Sequence, residues 1–146
     1  MKVGNTLMAA RAREGRTRVL IVDDSAMVRQ ALALGLSTDP RLEVVGTASG
    51  AEAARAQMAA LKPDVVTLDL EMPQMDGLTF LRSYMESAPV PTVVISSLTR
   101  TSGETAMRAM EAGAVDIISK PSLGAGQGLP AIMRDVCARS VSYTHL

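Results

Sequence analysis

The chain has no tryptophan, one phenylalanine and two tyrosines, so aromatics make up only 2% of its 146 residues. That scarcity argues against stacking nucleic-acid bases on an aromatic platform. It also means that any core must be aliphatic, with ten methionines available to fill its gaps. A single cysteine, Cys137, excludes an internal disulfide and fits a reducing cytoplasm. No apolar run approaches the roughly 18 residues that a membrane span needs, and the N-terminus has no apolar signal core. Net charge is zero, which gives no electrostatic case for nucleic acid. The one histidine, His145, stands in the patternless ending SVSYTHL, where nothing would hold it near a nucleophile as a Ser-His-Asp triad requires. No G-x-S-x-G elbow occurs either; the string GTASG at positions 46–50 has its serine one place late.

What is present is an ordinary globular composition, 47% hydrophobic and 21% charged, long enough for one domain with a real core. The first 18 residues carry five basic side chains against Glu14 alone. Residues 1–16 are expected to be a mobile extension. From there the chain alternates. RVLIV (18–22) predicts a buried strand that ends in Asp23-Asp24-Ser25. Ser25 or Asp24 would cap a helix whose inner face holds Val28, Ala31, Leu32, Gly35 and Leu36. LEVVGTA (42–48) predicts a second strand, and 52–61 an Ala-rich helix closed before Lys62-Pro63. VVTL (65–68) predicts a third strand, buried on both faces, with Asp69 where it runs out. Met72-Pro73 and Asp76-Gly77 turn the chain into a helix over 78–87, with Leu78, Leu81 and Met85 as its buried stripe. TVVI (92–95) ends in Ser96-Ser97, a helix covers 104–112, and a short strand at 115–118 ends in Ser119-Lys120-Pro121. A glycine-rich loop (122–128) leads to a last helix that starts at Pro130 and runs to about Arg139. Five alternations of strand and helix argue for a parallel sheet covered on both faces, an α/β three-layer sandwich.

Ligands of open α/β sheets bind outside the carboxyl ends of the strands, and those ends are where the polar residues collect. The first strand offers Asp23 and Asp24, the third Asp69, the fourth Ser96 and the fifth Lys120. Each has an ordinary alternative: Asp-Asp-Ser as a helix cap, Asp69 as another, Lys-Pro as a surface turn. Their common placement at one sheet edge is what favours chemistry. In a flavodoxin-like strand order, 2-1-3-4-5, the first and third strands are neighbours about 4.8 Å apart. Their carboxylates could then share one cation, and an all-oxygen set without Cys or His selects Mg²⁺. A carboxylate beside a metal and a lysine suits phosphoryl transfer, with Asp69 as nucleophile.

The set Asp23-Asp24, Asp69, Ser96 and Lys120-Pro121 resembles that of a two-component receiver domain. The strings TLDLEMPQMDGLTFL, SSLT, GAVDIISKPS and DPRLEVVGTA are most similar to the receiver of the chemotaxis protein-glutamate methylesterases, the CheB family. The resemblance implies a flavodoxin-like (βα)5 fold over residues 17–140, with 141–146 a patternless tail. It implies phosphorylation of Asp69 by a chemotaxis-type histidine kinase, and Mg²⁺ held by Asp24 directly, by Asp23 through water, by Asp69 and by the backbone carbonyl of Glu71. It further implies Ser96 as the switch hydroxyl, Lys120 as the phosphate partner, and a cis Lys120–Pro121 bond. Many receivers carry Tyr or Phe where this chain has Ile117. The expected role is regulation, in the cytoplasm, of a methylesterase domain that acts on chemoreceptors and lies outside these 146 residues, with neither nucleic acid nor membrane insertion involved. The alternative is a free-standing receiver, or one from a DNA-binding regulator. A haloacid-dehalogenase-type phosphatase would need a second Asp two residues after Asp69, where Glu71 stands.

Overall fold

The computed structural model describes residues 15–72, 75–96 and 103–119. Five parallel strands form one sheet: β1 (Thr17–Val22), β2 (Leu42–Ala48), β3 (Val65–Asp69), β4 (Thr92–Ser96) and β5 (Asp116–Ser119). Their spatial order is β2-β1-β3-β4-β5, the flavodoxin-like order. Four helices connect them: α1 (Ala26–Ser37), α2 (Ala51–Leu61), α3 (Gly77–Ser87) and α4 (Gly103–Glu111). The expected last helix and the Lys120–Pro121 bond lie outside the described residues, as do residues 1–14 of the N-terminal extension.

The central strands β3 and β4 are buried at every residue, which is why they read as unbroken apolar runs rather than alternating ones. Within them the strand period of two divides the core. Leu20, Val22, Val66, Leu68 and Val94 face Ala54 of α2, Phe80, Leu81 and Tyr84 of α3, and Ala109 of α4. Val19, Ile21, Val65, Val93 and Ile95 face Leu32 and Leu36 of α1. Val115 and Ile118 pack on the α1 side, while Ile117 packs on the other.

Helix starts follow capping chemistry. Ser25, not Asp24, caps α1, its side chain accepting from the Val28 N–H at 3.3 Å. Asp76 caps α3 by accepting from the Leu78 N–H at 3.1 Å. The buried stripe of α3 differs from the sequence expectation. Gly77, Phe80, Leu81 and Tyr84 are fully buried, whereas Leu78 and Met85 are half-buried at the margin of the same cluster. Leu81 is buried as expected, and the stripe widens by one residue towards Phe80 and Tyr84 because the helix turns both aromatic side chains inward. Phe80 and Tyr84 meet edge to face, with ring centroids 5.1 Å apart, a geometry that adds to simple burial.

Gly77 sits where the helix starts against the chain leaving β3. A Cβ there would lie 2.5 Å from the Leu70 Cα. Glycine therefore lets the first turn of α3 press on the backbone that carries Asp69. Between them, Glu71–Met72 pairs antiparallel with Met75–Asp76, a small ladder where the sequence suggested only a turn.

Candidate functional site

Parallel pairing places the strand ends side by side. Val22 is level with Leu68 in the β1–β3 register, and Asp69 with Ile95 in the β3–β4 register. Asp23 therefore leaves β1 next to the end of β3, and Ser96 follows Ile95 on the other side. One oxygen from each of Asp23, Asp24 and Asp69 lies within 4.8 Å of the other two. Asp23 and Asp69 are each only 1% exposed, while Asp24 is exposed. The sheet edge thus presents two sheltered carboxylates and one that reaches solvent.

Local hydrogen bonds fix these side chains. Asp23 Oδ1 accepts the Ser25 N–H at 2.8 Å, while the Asp23 carbonyl accepts from Arg29 Nη1 at 2.7 Å. Asp69 Oδ1 accepts the Glu71 N–H at 2.9 Å. The Leu70 N–H donates to the Ile95 carbonyl at 3.2 Å, which carries the β3–β4 pairing one step past the strand. Ser96, 1% exposed, donates its hydroxyl proton to Glu71 Oε1 at 2.8 Å.

The expected Asp23, Asp24 and Asp69 are therefore brought together, and Ser96 stands beside them through Glu71. Lys120 lies outside the described residues. Two contributors went unread in the sequence. Arg29 was legible in principle as the residue one helical turn beyond Ser25. The Glu71 side chain was not, because its contact with Ser96 depends on the register of two strands and on a rotamer.

Like charges crowded in a sheltered place raise one another's energy, and a cation between them removes the conflict. The donors are all oxygen, the set that hard divalent ions prefer. Their 4.8 Å span is close to the ~4.2 Å separating opposite ligands on an octahedral Mg²⁺. The residues present fit such an ion.

Carboxylates of β1 and β3 and a hydroxyl of β4, at the carboxyl edge of a 2-1-3-4-5 sheet, define a class. The response regulator receiver domain family model matches residues 19–127, and the chain belongs to that family. Within it, the chain is similar to the receivers of CheB-type methylesterases. It is 48% identical over 124 residues to a protein-glutamate methylesterase/protein-glutamine glutaminase of Syntrophotalea carbinolica, covering 85% of this chain and 35% of that protein. The chain therefore spans about a third of the length of that curated relative. The response regulator domain of Thermotoga maritima CheB superposes with a TM-score of 0.77 at 33% identity, covering 90% of this chain and 98% of that one. A chain in the crystal structure of the P1 domain of CheA3 in complex with CheY6 from R. sphaeroides gives a TM-score of 0.63 at 36% identity, covering 73% and 83%. Among the described residues, no helix is long and apolar enough to cross a membrane.

Proposed function

We propose that this receiver accepts a phosphoryl group from a chemotaxis-type histidine kinase on Asp69, and so regulates a methylesterase domain of its parent protein. The observation behind this reading is the meeting of the Asp23, Asp24 and Asp69 oxygens at one sheet edge. In it, Asp23, Asp24, Asp69 and the Glu71 backbone carbonyl would hold Mg²⁺. When bound, the ion supplies positive charge to the phosphoryl oxygens. An Asp69 oxygen forms the bond to phosphorus as the bond from phosphorus to the kinase histidine nitrogen breaks. The nitrogen keeps that electron pair. In this reading Ser96 and Lys120 bind phosphoryl oxygens. The related chain from a CheA3–CheY6 crystal supports a kinase of the chemotaxis type.

The receiver occupies residues 17–140. The parent's substrate is the methylated glutamate of cytoplasmic chemoreceptor regions, a reading supported by the methylesterase relatives. Phosphotransfer is the test. A phosphorylated chemotaxis-type kinase domain, mixed with this chain and Mg²⁺, should lose its label to the chain within minutes, and EDTA should stop the transfer. Label that stays on every such kinase, and no label taken from acetyl phosphate either, would end the proposal. The 146-residue chain alone should release no methanol from methylated receptors.

A further inference from the structure

The Ser96 hydroxyl is already engaged, and its acceptor is a charged group. It donates to Glu71 Oε1 at 2.8 Å from a position almost sealed from solvent. A serine hydroxyl carries one proton, so it can donate to only one acceptor at a time. Hydrogen bonds to an ionised acceptor are roughly twice as strong as neutral ones, so the proton is held firmly. Glu71 is in turn placed by Asp69, whose Oδ1 accepts its N–H at 2.9 Å. The Leu70–Ile95 backbone bond keeps Glu71 beside β4. Asp69, Glu71 and Ser96 thus form one connected path from the carboxylate at the end of β3 to the hydroxyl at the end of β4.

We propose that Glu71 is a positioning residue that latches Ser96. In the unphosphorylated protein the Glu71 carboxylate holds the Ser96 proton. A phosphoryl oxygen on Asp69 accepts the Ser96 hydrogen bond only when the Ser96–Glu71 bond breaks. No proton leaves the serine oxygen; one acceptor replaces another. The latch rests on the phosphoacceptor reading above and adds a residue to it. Glu71 then contributes more than a backbone carbonyl: its side chain sets how strongly the unphosphorylated arrangement is preferred. A ligand shifts a two-state equilibrium only by its differential affinity for the two states. Whatever the latch contributes to the resting state is therefore subtracted from the apparent affinity for a phosphoryl group.

The test measures affinity for beryllofluoride, a phosphoryl mimic, with Mg²⁺ present, by fluorine NMR and calorimetry on the 146-residue chain. Glu71→Ala should bind about tenfold more tightly than wild type, the scale of one hydrogen bond to a charged group. Glu71→Gln, whose amide oxygen still accepts from Ser96 without charge, should fall between the two. In a Ser96→Ala background the gain from Glu71→Ala should shrink below about twofold, since coupled residues lose their effect together. A gain that persists undiminished in Ser96→Ala would overturn the latch, as would a Glu71→Gln variant equal to Glu71→Ala. Either result would mean that Glu71 acts through its charge alone. Wild-type protein that binds no beryllofluoride would instead remove the phosphoacceptor reading on which the latch rests. Thermal melts of each variant identify any that fail to fold, and Glu71→Gln, nearly the same shape as the native side chain, preserves the comparison.

Discussion

At the amino ends of the strands, Arg18 Nη1 donates to the carbonyls of Leu61 and Lys62 at 2.6 and 2.9 Å, and the Arg18 N–H donates to Asp64 Oδ2 at 2.9 Å. At the carboxyl ends, Asp23, Asp24 and Asp69 bring three oxygens within 4.8 Å. Both edges place charged groups against the sheet. At the amino edge a cation meets the carbonyls at the C-terminal end of α2, where the helix dipole is negative, and opposite partial charges meet. At the carboxyl edge three carboxylates of one sign stand together, with the Arg29 guanidinium on the Asp23 carbonyl. The first arrangement stabilises the fold as it stands. The second gathers negative charge that a bound cation would balance, and such a cluster is a reason to look for function there.

Substitutions at the two edges should therefore separate stability from chemistry. The largest change in stability should come from Arg18→Ala, which leaves two carbonyls without their donor. Urea unfolding should show a loss of about 2 kcal/mol, with Mg²⁺-dependent phosphorylation of the remaining folded protein intact. Loss of phosphorylation without loss of stability would break the comparison.

Asp23→Asn should do the reverse. In EDTA it should raise stability by about 1 kcal/mol through reduced repulsion, and the further rise in Tm on adding Mg²⁺ should shrink. A variant less stable than wild type in EDTA would mean that the carboxylate serves the fold.

Lys62 ends α2 with φ of 48°, a left-handed conformation that costs a side chain about 1 kcal/mol. Lys62→Gly should recover roughly 0.5–1 kcal/mol without altering phosphorylation. This is strain at the edge that carries no chemistry.

The smallest effect concerns Tyr84, buried against Thr92 with their hydroxyls hydrogen-bonded. Burial pushes its pKa well above the usual 10.0. A raised folded pKa means stability that is fully present below about pH 10 and lost as pH rises further, because the unfolded chain ionises first. Tyr84→Phe should flatten the alkaline end of a Tm-against-pH curve and leave its neutral region nearly level. An alkaline limb as steep as that of wild type would assign the loss to other groups.

The carboxyl edge was more legible in sequence than the amino edge. Strands buried on both faces leave unbroken runs such as VVTL, and an Asp at the end of such a run stands out. The strand order came with the family resemblance, and the sheet has it. The Arg18 bonds to Leu61 and Lys62 span more than forty residues and leave no local pattern. In α3 the aliphatic pattern marks Leu81, which is buried, but it does not weigh Phe80 and Tyr84, the residues with the most area to bury. Glu71 was read for its backbone alone, since a side-chain contact between strand ends depends on a register that no local window contains. Ile117 is half-buried against the α3 side of the core.

The measurement that bears most directly on the account is the location of the phosphoryl group. The chain is treated with acetyl phosphate and Mg²⁺, the acyl phosphate is reduced with borohydride, and the peptides are mapped by mass spectrometry. One reduced residue, Asp69, is expected, and none in EDTA or in Asp69→Asn. Modification at another residue, or modification that persists undiminished in Asp69→Asn, would contradict it.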